Sequence, residues 1–339
     1  MALITGPAPF VVPRPRVATV MARVLVALLP GIAALAAVFG WGVIVQVLWA
    51  SALAWSLEAV LLWLRRRPLR PFLGDYSALV TAWLLAIALP PLAPWWVGAV
   101  GVVFAIAVAK HLYGGLGYNP FNPAMVGYCA VLVAFPREMI QWPVAGADPA
   151  FHLPAVLGAI FIESAGLDGF TGATPLDAAR THLVQYASFW ADPLPPLWDG
   201  GPKGWAWPAL AFGLGGLWLV ASGAASWRIP VAVLGSLGLL AALFHAIDPS
   251  RYASPLFHLV AGSGVVGALF IATDPVSAST TPRGRWLYGA GIGALIYAIR
   301  TFGGYPDGVA FAVLLMNSAA PTIDRHTQPR VFGAPRRTP

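Results

Sequence analysis

Apolar runs recur along almost the whole chain and leave few folds open to it. Ten stand out, at 20–39, 41–64, 77–92, 94–113, 122–135, 206–222, 229–247, 256–273, 285–299 and 308–323. A helix that crosses a bilayer takes about 20 apolar residues, and fewer where it is broken. The third, fifth and tenth runs are short for a full crossing. Charged residues make up only 10% of the 339 residues, against about 25% in an ordinary soluble domain. A soluble fold of this size has no interior large enough for so much apolar surface. The pattern predicts an all-α polytopic membrane protein with about ten transmembrane helices.

Thirty-two prolines and 36 glycines point to short or broken helices, which survive where the freed backbone is buried in protein or lines a cavity. Cys129 is the single cysteine, so an internal disulfide and a cysteine-based iron–sulfur or zinc site are both excluded. The first nineteen residues are rich in proline, carry Arg14 and Arg16, and lack the apolar core of a cleavable signal peptide. The first apolar run therefore doubles as the targeting signal.

The net charge of +7 raises the question of nucleic acid, and its distribution answers it. With the N-terminus placed in the cytoplasm, 15 of the 20 Lys and Arg fall inside. The exceptions are Arg137, Arg180, Lys203, Arg251 and Arg300. This is the positive-inside bias of a membrane protein, and no nucleic-acid partner is expected. Both termini are then cytoplasmic, and the segment 136–205 lies outside. Within it, 151–165 is apolar but short, which suits an interfacial or re-entrant helix. The chain divides into an N-terminal membrane repeat (1–135), an extracytoplasmic loop (136–205), a C-terminal membrane repeat (206–324) and a basic tail (325–339).

Spans one to five and six to ten share a layout. The third run ends in Pro90-Pro91 and the eighth in Asp274-Pro275. GLGYNPFNPA (115–124) announces the fifth run and GGYPDGVAFA (303–312) the tenth. Two halves of five spans each are inverted relative to one another, and inverted repeats place sites at their interface, near broken helices.

Four polar motifs interrupt the apolar pattern. DGFTGATPL (168–176) has glycines that permit turns and a proline that delays a helix start. It is expected to be an exposed, extended loop, either a solvated turn or a substrate presenting its hydroxyls for modification. YNPFNP (118–123) holds two Asn-Pro pairs that break a regular helix. Its amides suit either a helix-capping turn or the polar edge of an isoalloxazine or quinone. Asp274, in ATDPVSAS (272–279), is read as a helix cap, a cation ligand or a cofactor contact. Arg300, Tyr305 and Asp307 gather a cation, an aromatic and an acid, for which an ordinary loop ion pair is the plain alternative. Glu58 lies inside the second run, which makes it a functional candidate or a neutral hydrogen-bonded acid. His111, next to Lys110, and His245 read as interfacial side chains. No Ser/His/Asp set, P-loop or metal-ligand cluster is present.

Taken in order, GDYSALVTAWLLAIALPP (74–91), GLGYNPFNPAM (115–125), DGFTGATPL, WRIP (227–230), IATDPVSAS (271–279) and RTFGGYPDGVAFAVLLMN (300–317) resemble the D subunits of Rnf electron-transport complexes. That family is related to the B subunit of sodium-translocating NADH:quinone reductase. The resemblance runs from about Arg23 to Asp324. One departure is GPKGWAWPAL (201–210), which lacks the acid that relatives commonly carry before the sixth span.

The resemblance implies a urea-transporter-like inverted-repeat fold in a bacterial cytoplasmic (inner) membrane. It implies FMN joined as a phosphoester to Thr174 by a flavin transferase that reads Asp168, Gly169, Thr171, Gly172 and Ala173 outside the cytoplasm. It also implies a second, noncovalent flavin, riboflavin, near Asn119 and Asn122, with Thr273 and Asp274 as neighbours. Arg300, Tyr305 and Asp307 are expected on the FMN side. No NADH site or iron–sulfur ligand set is visible, so turnover requires partner subunits. The competing reading is a urea-transporter-like channel or transporter without flavin, for which an intact GAT loop has no use.

Overall fold

The computed structural model describes residues 16–147, 150, 152–162, 171–186, 204–305 and 307–329. The protein is mostly helical. Its helices are α1 (Val17–Phe39), α2 (Gly42–Leu64), α3 (Leu69–Leu73), α4 (Ser77–Ala86), α5 (Trp95–Val103), α6 (Pro123–Ala134), α7 (Pro136–Ile140), α8 (Leu153–Phe161), α9 (Pro175–Tyr186), α10 (Ala206–Ala221), α11 (Arg228–Ile247), α12 (Pro255–Val260), α13 (Gly264–Val266), α14 (Pro282–Phe302) and α15 (Val309–His326). Two π-helical stretches, Phe104–His111 and Gly267–Ile271, continue α5 and α13. Three helices, α1, α2 and α11, are long and apolar enough to cross a membrane. The shorter apolar helices include α4, α5 with its π continuation, α6 and α10.

Every apolar run contains helix, but the third leaves it after Ala86 and the eighth is not one continuous helix. It breaks at Ala261-Gly262-Ser263, where Gly262 takes φ +71°. Asp307 Oδ2 accepts the Ser263 N–H at 2.9 Å, which holds the break open. An apolar run alone does not distinguish a broken helix from a straight one. The ninth element, in contrast, exceeds its apolar run: α14 starts at Pro282, with Thr281 Oγ1 accepting the Gly284 N–H.

Helices in lipid gain little from hydrophobic transfer between one another, so close backbone approach carries their packing. α1 packs along α10, and α11 along α14. A Cβ on Gly215 of α10 would lie 1.9 Å from the carbonyl oxygen of Ala27, and one on Gly293 of α14 would lie 2.2 Å from that of Val233. Neither position has room for a side chain. Arg23 Nη1 adds a tie from α1 to the Ser222 carbonyl oxygen at 3.0 Å.

The segment between α7 and α10 is anchored by aromatic packing. Phe39, at the end of α1, meets Trp142 (5.6 Å between ring centroids) and Trp205 (4.8 Å) edge to face. Trp142 belongs to the two-residue strand β1 (Trp142–Pro143). This strand pairs antiparallel with β2 (Thr171–Gly172), with Trp142 opposite Gly172. The polar motif thus enters its helix from a strand tied to the membrane core.

Candidate functional site

Thr174 is half-buried and stands immediately before α9. Its Oγ1 accepts the Asp177 N–H at 3.2 Å and its carbonyl accepts the Ala178 N–H at 2.9 Å. This is N-cap geometry, so Thr174 is half-buried at a helix start where the sequence suggests an exposed loop position. Among the described residues of the motif, Thr171 and Gly172 form β2 and Ala173 is exposed. Asp168 and Gly169 lie outside the described residues. Pro175 has no N–H and the Asp177 N–H is held by Thr174 Oγ1, so the Leu176 N–H is the first-turn donor left over, and the helix dipole favours an anion at this end. Burial raises the Asp177 carboxyl above its ordinary range, against the pull of Arg180.

Leu176 and Ala179 of α9 pack on Ala253, Phe257 and Ala261. Arg180, Arg251 and Arg300 line the cleft beneath this contact. Arg300 is already engaged there. Its Nη2 donates to Asp307 Oδ1 at 3.0 Å and its Nη1 to the His258 carbonyl at 2.6 Å. Burial alone would raise the Asp307 carboxyl, but Arg300 and the Ser263 hydrogen bonds outweigh it and hold the group below its usual range. Arg300 and Asp307 brace the helix break. Tyr305 packs against Phe311 with the rings tilted by 37° and their centroids 4.8 Å apart.

A second concave site forms where α4, the 112–123 segment and the 270–275 turn meet. Ser77, Lys110, Asn119, Asn122, Thr273 and Asp274 line it, among apolar side chains that include Val80, Leu84 and Phe270. The cavity volume between them is ≈ 60 Å³. Asn122 caps α6, accepting the Met125 N–H at 3.2 Å, and donates through Nδ2 to the Ile271 carbonyl at 3.3 Å. The capping alternative for this asparagine is therefore realised. Asn119 is buried and donates to the Phe121 carbonyl, but its Oδ1 has no partner among the described residues. Asp274 Oδ2 accepts the Ser277 hydroxyl at 2.6 Å, and Thr273 Oγ1 donates to the Leu269 carbonyl at 2.8 Å. Four expected site residues, Asn119, Asn122, Thr273 and Asp274, thus share one cavity, while Thr174 and Arg300 belong with α9.

The model of the NQR2, RnfD, RnfE family matches residues 4–333. The chain belongs to this family. It is 50% identical to the D subunit of the ion-translocating oxidoreductase complex of Alcanivorax borkumensis, over 98% of this chain and 97% of the relative. It is 48% identical to the protein of that name from Vibrio vulnificus, over 90% and 92% of the two chains. Its counterpart from Aeromonas hydrophila is 47% identical, over 97% and 98%.

Contacts that the sequence pattern does not reveal surround the Asn119 cavity. Lys110 and His111 are buried, not interfacial. Lys110 Nζ donates to Glu58 Oε1 at 2.6 Å and to Ser77 Oγ at 2.7 Å, and His111 Nε2 lies 3.4 Å from the same Glu58 oxygen. The available signal is one Lys and one Glu, each within an apolar run, since intramembrane charges pair. Asn317 stands in the sequence only as the end of a motif. It links three partners in the core, Asn122, Ser277 and Tyr288. Among the described residues, no group of three or more His, Cys, Asp or Glu is placed to hold a metal ion.

Proposed function

We propose that this chain is a membrane redox subunit of an ion-translocating NADH/ferredoxin (or flavodoxin) oxidoreductase complex, with FMN esterified to Thr174 and riboflavin held noncovalently in the Asn119 cavity. The complex named for its relatives supports the assembly. The observation that carries the flavin reading is Thr174 Oγ1 at the start of α9, 3.2 Å from the Asp177 nitrogen. A phosphate joined there sits at a helix N-terminus, a ready anion site. The unpartnered Oδ1 of buried Asn119 supports the second site, since it suits a ring N–H donor.

A bound flavin supplies one- and two-electron chemistry. The chain's own residues supply placement. Trp142 and β2 fix where Thr174 enters α9. Asn122, Asn317 and Tyr288 fix the wall of the inner cavity. The other proteins of the complex deliver and remove electrons, because this chain shows no dinucleotide or cluster site of its own among the described residues.

The finer architecture we infer is ten membrane elements in two inverted, urea-transporter-like repeats in a bacterial inner membrane. Both termini are cytoplasmic and the Thr174 loop is outside, where a flavin transferase acts. Two pairings support the repeat. α1 packs on α10 and α6 on α15, which are the first and fifth elements of each half meeting their counterparts.

The test is in-gel flavin fluorescence after denaturing electrophoresis, with an active flavin transferase co-expressed. A fluorescent band at this chain's mass that disappears in Thr174→Ala is the expected result. No band from the wild type removes the covalent flavin and brings forward the flavin-free transporter.

A further inference from the structure

Lys110 lies in the wall of the Asn119 cavity and is 1% exposed. An ammonium has three N–H donors. Two are used, on Glu58 and Ser77. Ser77 lines the cavity beside Lys110, whereas Glu58 does not. The carboxylate therefore stands behind the ammonium, and the positive end of the pair faces the open space. Ser77 Oγ itself donates to Asp75 Oδ1 at 2.5 Å, so its lone pairs are turned to Lys110.

The cavity thus offers a charged donor with an N–H to spare and, at Asn119 Oδ1, a buried acceptor without a partner. Thr81, Asn122, Thr273 and Asp274 add further polar groups to the wall, and Val80, Leu84 and Phe270 supply an apolar face. The complement is a flat heteroaromatic ring whose edge carries both an acceptor and an N–H, which is the imide edge of an isoalloxazine. We propose that Lys110 is the charge-setting residue of this cavity. Its free N–H meets the ring edge on which negative charge gathers during reduction, and Asn119 Oδ1 accepts the imide N–H. This rests on the riboflavin reading given above. Glu58 acts at one remove, holding the ammonium in place and offsetting the cost of burying it.

The pair makes an ordered demand on redox potential. Replacing Lys110 alone leaves the Glu58 carboxylate near the ring and disfavours added electrons most. Replacing both partners by neutral groups removes a dipole whose positive end faces the ring, a smaller loss. A role in packing alone imposes no such order.

The experiment uses the full chain in detergent in a Thr174→Ala background, so that riboflavin, the added probe, is the only flavin reporting. Fluorescence titration measures its binding, and spectroelectrochemical titration its midpoint potential. Expected is riboflavin binding in the background protein, with the potential falling from background to Glu58→Gln/Lys110→Met, and Lys110→Met at or below the double variant. The reduced-to-oxidised ratio at fixed potential should drop at least tenfold in Lys110→Met, about 59 mV for a one-electron step. Should Lys110→Met fail to fold, the neutral double variant decides the question by its own downward shift. Riboflavin bound with equal potentials in all variants overturns the role of Lys110 and leaves the cavity reading standing. A background protein that binds no riboflavin overturns both.

Discussion

Asn317 Oδ1 accepts the backbone N–H of Asn122 at 3.0 Å, across 195 residues of chain. The residue that starts α6 is thereby fixed by the middle of α15. Asn317 Nδ2 donates to the Ser277 carbonyl at 3.1 Å and to the Tyr288 hydroxyl at 2.7 Å. One side chain in the second half holds three points of the structure, one of them in the cavity wall of the first half.

Substituting Asn317 by Leu keeps the volume and removes all three bonds. The Asn122 N–H and the Tyr288 hydroxyl are then buried without partners, each a loss of about 1–3 kcal/mol. The expected outcome is a lower thermal midpoint in detergent together with weaker riboflavin binding. An unchanged midpoint would show that the bonds carry no net stability.

Glu58 and Lys110 should show strong coupling in a double-mutant cycle. Lys110→Met alone leaves the buried carboxylate with His111 Nε2, at 3.4 Å, as its remaining partner, at a cost of up to about 3–5 kcal/mol. Glu58→Leu alone leaves the ammonium in the same position. The double replacement puts apolar side chains in both places and should cost far less than the sum. Additive losses, read by denaturant or thermal unfolding, would mean that the 2.6 Å contact carries no interaction energy.

Asp307 gives a pH dependence whose sign follows from its surroundings. Its carboxyl is held below the usual range in the folded protein, against about 3.9 when unfolded. The stability it contributes is therefore fully present above the unfolded value, and it is lost as pH falls through the lower folded value. Asp307→Asn should reduce stability at neutral pH and flatten the acid limb below about pH 4. Thermal midpoints for the two proteins, followed from acid to neutral pH, would diverge as pH rises, and parallel curves would exclude Asp307 as the titrating group.

The membrane architecture is readable because lipid imposes one rule on long stretches: apolar residues without interruption. Each run forms helix over most of its length for that reason. The break at Gly262 is not readable, because its cause is Asp307, 44 residues from Ser263. The same holds for Lys110, whose partner Glu58 is 52 residues away and on another helix. Asn119 and Asn122 stand out because Asn-Pro pairs announce themselves locally. Which of their amide atoms are already spent depends on Ile271 and Phe121, and only the folded chain brings those carbonyls into place.

Thr174 carries two separable duties, and the choice of substitution separates them. As a cap, its Oγ1 holds the Asp177 N–H, and its loss to Ala should cost α9 about 1 kcal/mol. As a flavin carrier, it needs a hydroxyl that forms a phosphoester. Asparagine is a good N-cap but offers no such hydroxyl. Thr174→Asn should therefore abolish in-gel flavin fluorescence while leaving the resistance of α9 to limited proteolysis close to wild type. Thr174→Ala should lose the fluorescence and also make α9 easier to cut. If both variants are cleaved alike and faster than wild type, the flavin itself orders the segment, and the cap contributes little. If Thr174→Asn stays fluorescent, the attachment point is a different residue of the loop.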